Sequence, residues 1–169
     1  MNILFKVNQG ITKIVELVCM LSVVAIGIIT FSAFFSRYVI QQPMVGTDEL
    51  ALFLLVWITF LGATLSIRNQ DMISLTFVIE RLSKRKYLII QTCTQVIILG
   101  FSIMGFIFGW RWLMSSSIRE ATSVSLEMPL WIPMLIFPMT MLIMSLFSIE
   151  GIINTIKKLN RHGEAGGLS

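Results

Sequence analysis

Charge is what this chain has least of. Of its 169 residues only 13% are Asp, Glu, Lys or Arg, while 56% are hydrophobic. Soluble domains average about 25% charged residues. A water-facing surface needs more polar groups than that, and a disordered chain needs low hydrophobicity, so neither class fits. Histidine is almost missing too. The single one, His162, excludes a bis-histidine haem pair and a His-rich metal cluster. Cysteine is limited to Cys19 and Cys93, far apart and without a CxxC pair, which argues against a thiol–disulfide oxidoreductase and a structural disulfide. No Gly-rich phosphate loop is present, and no base is placed to activate any of the serines. These absences predict no catalytic residue, no metal and no cofactor. The 11 methionines read as apolar filler at lipid and helix contacts.

What the chain does have is long uncharged runs. Leu17–Phe35, Leu50–Ile67, Tyr87–Trp110 and Met128–Ile149 contain no charged residue. A bilayer core needs about 20 helical residues, and unpaired backbone groups are too costly in lipid for anything but a helix. The chain is therefore expected to be an all-α integral membrane protein, one membrane domain over 1–169 with spans at about 15–36, 49–68, 87–110 and 128–150. Four such runs leave too little polar chain to enclose them as the core of a soluble protein.

Basic residues give an orientation. Lys6 and Lys13 precede the first run; Arg68, Arg81, Lys84, Arg85 and Lys86 fill the gap after the second; Lys157, Lys158 and Arg161 follow the fourth. The other two gaps hold only Arg37, Arg111 and Arg119. Basic residues in short loops stay cytoplasmic, so both termini are expected inside and the loops after spans one and three outside. The basic excess thus reflects topology, and a nucleic-acid partner has no support. Lys84, Arg85 and Lys86, with Arg68, form an inner basic group that enforces topology or touches anionic lipid. Tyr38, Trp110, Trp112 and Trp131 at the outer boundary and Tyr87 at the inner one are the expected interfacial anchors. The first run is too long for a cleaved signal sequence and lacks an A-x-A site, so it reads as an uncleaved anchor.

Local patterns refine the elements. Thr47 is a candidate N-cap, with Asp48 and Glu49 in the first turn that follows, where the helix dipole favours carboxylates. Met72, Leu75, Ile79 and Leu82 recur at helical spacing and predict a short amphipathic helix over about 71–84, lying in the inner interface. Gly105 and Gly109 form a GxxxG pattern, which lets helices approach closely in lipid. Gln91 and Gln95 are placed to bond neighbouring helices or interfacial water. Pro129, Pro133 and Pro138 open the fourth span, where the latter two should kink or loosen it. Residues 162–169 read as a flexible tail.

The cores of all four runs hold no Asp, Glu, Lys, Arg or His, whereas ion-coupled carriers usually need such a group at membrane depth. The best reading from the residues is a membrane subunit that packs against a larger partner. The rivals are a small autonomous proton-coupled exporter using Glu16 and a membrane oxidoreductase using Cys19 and Cys93.

Two strings carry a family resemblance. The first is Arg37-Tyr38-Val39, Asp48-Glu49-Leu50-Ala51, Phe53-Leu54-Leu55-Val56-Trp57 and Phe60-Leu61-Gly62-Ala63, closed by Arg68. The second is Ser125-Leu126-Glu127-Met128-Pro129-Leu130-Trp131-Ile132-Pro133, with Pro138. The chain resembles the small membrane subunit, the DctQ-like Q component, of tripartite ATP-independent periplasmic (TRAP) transporters, most of all the sialic acid type. Family members often carry Trp where this chain has Gly46, Arg where it has Leu52 and His where it has Met72. The resemblance implies a bacterial inner-membrane subunit without cofactor, a large M subunit that carries the substrate and sodium sites, and a periplasmic P protein that delivers an organic acid. Arg37, Asp48, Glu49, Arg119, Glu120 and Glu127 are then the candidate docking residues in the outer loops. Trp57, Gly62, Gly105 and Gly109 are the candidate helix-packing residues.

Overall fold

The computed structural model describes residues 2–42, 44–68 and 84–165. Among them the regular elements are all helical, apart from one isolated antiparallel bridge between Thr122 and Pro129. Helix α1 (Asn2–Phe35) runs on into a π-helical turn (Ser36–Ile40). Helices α2 (Thr47–Arg68) and α3 (Lys84–Leu113) follow, then a short α4 (Ser116–Arg119), a short α5 (Trp131–Met134) and α6 (Ile136–Ala165). Four segments are long and apolar enough to cross a membrane: Lys6–Ile40, Thr47–Arg68, Leu88–Leu113 and Trp131–Lys157. The amphipathic helix expected over about 71–84 lies outside the described residues, except that Lys84 opens α3. Helix α1 starts well before the expected first span and continues through it without a break. At about 1.5 Å per residue, α1 is about 50 Å long, well beyond the ~30 Å hydrocarbon layer.

Helix α6 is the centre of the arrangement. Its most apolar stretch is 44% buried, against 11% for α1 and α2 and 17% for α3. Helix α3 packs against α6, α1 packs chiefly on α2, and the two pairs meet where α2 lies against α6. A small core of Val15, Leu61 and Ile136, flanked by Trp57, Phe60 and Ile143, joins α1, α2 and α6. The flanks of α1 and α3 are left bare. Ile14, Leu17, Met20 and Phe31 on α1, and Ile97, Phe101, Met104 and Phe108 on α3, are all exposed.

The α3–α6 contact is the tightest, and glycine makes it so. A Cβ added to Gly105 would lie 2.9 Å from the Met141 sulfur, and one on Gly109 would lie 2.5 Å from the Phe137 ring. About three turns earlier on α3, the Gln95 amide lies over Gly151, where a Cβ would come within 2.8 Å. Moving up α3 thus moves down α6, as antiparallel neighbours must. Without a hydrophobic drive between helices in lipid, such close backbone approach supplies the packing energy. Gly62 differs, since a Cβ there meets nothing within 4 Å.

Proline shapes the start of the fourth span. Pro138 has no N–H to give the Met134 carbonyl, and its ring crowds that carbonyl. The helix accordingly breaks at Leu135, between α5 and α6. The Trp57 indole N–H donates to the Pro133 carbonyl at 3.0 Å, so α2 supplies a donor to backbone freed near the break.

These contacts predict opposite outcomes for two alanine replacements in the isolated chain. Gly109→Ala should lower the thermal midpoint in mild detergent, with an overpacking cost of about 1–3 kcal/mol. Gly62→Ala should leave it unchanged or raise it slightly, because alanine favours the helix by about 0.5–1 kcal/mol.

Candidate functional site

The two connections opposite the chain termini form the first candidate site. Helix α1 ends in a widened π turn, and its exit is set by Gln41 in the left-handed region at φ 57°. The Ser36 hydroxyl donates to the Gln42 carbonyl, and the Gln42 N–H returns to the Ser36 carbonyl at 3.2 Å. That turn presents Arg37, whose Nη2 donates to Asp48 Oδ2 at 3.0 Å. Both side chains are more than half exposed, so the pair contributes at most about 1 kcal/mol. Thr47 is not the cap expected of it. Its hydroxyl turns back to donate to the Met44 carbonyl, and the Gly46 carbonyl accepts the first helical N–H, from Leu50.

The second connection folds back as a short hairpin. The Ser123 N–H reaches the Met128 carbonyl at 2.9 Å and the Leu130 N–H reaches the Ala121 carbonyl at 3.0 Å. Glu127, at φ 53°, reverses the chain, and the Ser123 hydroxyl accepts the Leu126 N–H. Two contacts lock this hairpin to the first connection. Glu49 Oε2 accepts the Ser125 N–H at 3.1 Å, and Leu126 fills the space over Gly46. Gly46 has φ +89° and a Cβ there would lie 2.8 Å from Leu126, so any larger residue at this place would be both strained and crowded.

The six outer-loop charges therefore divide. Arg37, Asp48 and Glu49 are used within the chain. Arg119, Glu120 and Glu127 are exposed and, among the described residues, make no ion pair or side-chain hydrogen bond. Beside them stand two bare valines, Val124 at 95% and Val45 at 85% exposure. Of the aromatic anchors, Tyr38, Trp110, Trp112 and Trp131 lie exposed at this same end, with Tyr38 against Phe34 and Trp110 stacked on Phe106. The side chains of Lys84, Arg85, Lys86 and Tyr87 lie outside the described residues.

A second cluster sits at the end that carries the termini. Glu150 on α6 accepts a hydrogen bond from the Asn8 amide of α1 and lies 3.7 Å from Arg68 Nη1 of α2. The Asn8 amide also reaches the Leu146 carbonyl at 3.4 Å, and the Arg68 guanidinium lies over the Phe147 ring at 4.9 Å. Asn8 is fully buried, and the Arg68 and Glu150 side chains are 19% and 16% exposed. One carboxylate thus ties three helices. Sequence reasoning missed Asn8 and Glu150. A signal was available, since Arg68 and Glu150 each bound an uncharged run, at the same end of the bundle and with opposite sign.

Other reactive groups are dispersed. Cys19 on α1 and Cys93 on α3 belong to helices that do not form a packed pair, and Glu16 is exposed. Among the described residues no three His, Cys, Asp or Glu side chains come together as a metal site.

Known proteins give a consistent answer. The sequence profile of "Tripartite ATP-independent periplasmic transporters, DctQ component" matches residues 26–158. A protein of Haemophilus influenzae (strain ATCC 51907 / DSM 11121 / KW20 / Rd), provisionally named TRAP transporter small permease protein, is 26% identical over 89 residues. That alignment covers 53% of this chain and 55% of the relative, so the chain spans about half the length of the relative it matches.

The buried carboxylate can be tested by a double replacement. Glu150→Leu strands the Arg68 charge and should cost about 3–5 kcal/mol if the site is as dry as it is buried. Replacing Arg68 by Leu as well should recover part of that loss. Thermal midpoints of the purified single and double variants measure the coupling.

Proposed function

Because the chain belongs to the DctQ family of tripartite ATP-independent periplasmic transporter components, a family of transporter subunits and not of enzymes, we propose that it is the small permease subunit of such a transporter in a bacterial inner membrane. Both termini face the cytoplasm in this reading, as the basic-residue asymmetry requires. The subunit forms fixed scaffold with a large M subunit, which carries the substrate and sodium sites. A periplasmic P protein delivers an organic acid, and the sequence resemblance favours sialic acid.

The observation that carries the scaffold role is electrostatic. The uncharged cores of the four spans hold no Asp, Glu, Lys, Arg or His, and the enclosed carboxylate Glu150 pairs with Arg68. No enclosed charge in the described spans is left unpaired to hold a transported ion or acid. The bare flanks of α1 and α3 supply the area a large partner needs. At the loop end, Glu120, Glu127, Val45 and Val124 offer unspent charge and apolar surface to the P protein. The exporter reading would need Glu16, which lies on an exposed face of α1 outside any enclosed path.

Co-expression with the M subunit should give a complex that survives purification in mild detergent, and uptake in liposomes should require both chains together with the P protein. Flux through liposomes holding this chain alone would overturn the scaffold role. Reversing Glu120 and Glu127 to Lys should lower uptake at limiting P protein by about tenfold and change its salt dependence. Exchanging the internal pair, Arg37→Asp with Asp48→Arg, should leave uptake within about twofold, since the pair contributes so little.

A further inference from the structure

A concave site of about 370 Å³ lies where the loop end of α3 meets α4 and α5. Trp110, Leu113, Met114, Arg119, Trp131 and Leu135 line it. Leu113, only 2% exposed, forms the floor, while Trp110 and Trp131 stand half open at 45% and 40%. Arg119 brings a guanidinium that no acidic group neutralises among the described residues. From Trp110 an exposed apolar strip continues down α3 through Ile107 and Ile103, at helical spacing.

The chemistry changes in order along this surface: a cation first, then two amphipathic rings, then a bare hydrocarbon strip. A phospholipid has the matching order of phosphate, glycerol and acyl chain. Tryptophan rings settle at headgroup level, arginine makes bidentate hydrogen bonds to phosphate, and the strip below faces the depth where chains lie. We propose that this site binds one membrane phospholipid, with its phosphate on Arg119, its glycerol region between Trp110 and Trp131, and one acyl chain along Ile107 and Ile103. The site requires only that the four helices cross a bilayer. It is independent of which way the chain faces and of what the loop end docks.

Native mass spectrometry of the purified full chain with added phosphatidylglycerol tests this. The parent should retain one lipid, Arg119→Gln should bind it about tenfold more weakly, and Arg119→Lys should bind in between. Trp131→Ala should also weaken retention, whereas Arg111→Gln, outside the site, should not. Diacylglycerol, which lacks the phosphate, should not be retained, and glycerol phosphate, which lacks the chains, should not displace the lipid. Circular dichroism of each variant checks that the helices are intact. Equal retention by the parent and a folded Arg119→Gln variant would overturn the proposal. So would displacement by glycerol phosphate, which would make the site a small-anion site. Loss of P-protein binding in Arg119→Gln with lipid retention unchanged would also overturn it, in favour of a protein contact.

Discussion

In a bilayer, apolar helices gain nothing by leaving lipid for one another. Everything that gives these four helices a defined arrangement has to come from close fit or from polar groups that lipid cannot satisfy. Both devices are present, at different places. Along the α3–α6 seam, Gly105, Gly109 and Gly151 bring the backbones close enough for Met141, Phe137 and Gln95 to lie directly on them. Where α1, α2 and α6 converge, polar contacts add to the small apolar core, with Glu150 joining Asn8 and Arg68. The Trp57 bond to the Pro133 carbonyl serves both ends, since it fixes α2 on the broken start of the fourth span and satisfies a backbone acceptor.

The loop end follows another logic. Its three left-handed residues, Gln41, Gly46 and Glu127, are the only positive-φ positions among the described residues. Such conformations persist where surrounding contacts over-determine them. Here the contacts are internal: Arg37 on Asp48, Glu49 on the Ser125 N–H and Leu126 over Gly46. Of the six outer-loop charges, Arg37 and Asp48 pair within the first connection and Glu49 ties it to the second. Arg119, Glu120 and Glu127 stay exposed at the loop end, as do Val45 and Val124.

The four candidate spans and their approximate placement were legible because lipid imposes a simple rule on composition, and uncharged runs of sufficient length satisfy it in only one way. Gly105 and Gly109 were legible because their spacing matches the helix repeat. Gly62 sits in an equally suggestive string, yet among the described residues no helix lies against it, since a motif says that close approach is allowed and not that a neighbour comes. The polar cluster was hidden for a related reason. Asn8, Arg68 and Glu150 come from three distant parts of the chain, and only the antiparallel register brings them together. Likewise the hairpin at 121–130 depends on a left-handed Glu127, a conformation glutamate does not advertise.

Among the described residues, helix α3 packs on one long neighbour, α6, which follows it in the chain. When α3 leaves the ribosome, the surface against which Gly105 and Gly109 will close does not yet exist. Helices α1 and α2 can associate as soon as both are inserted, but α3 must wait in the lipid as a solitary rod until α6 emerges. Closure of the α3 seam is thus delayed until α6 is in place, and a chain cut between α3 and α6 would keep an α1–α2 hairpin and an orphaned third helix.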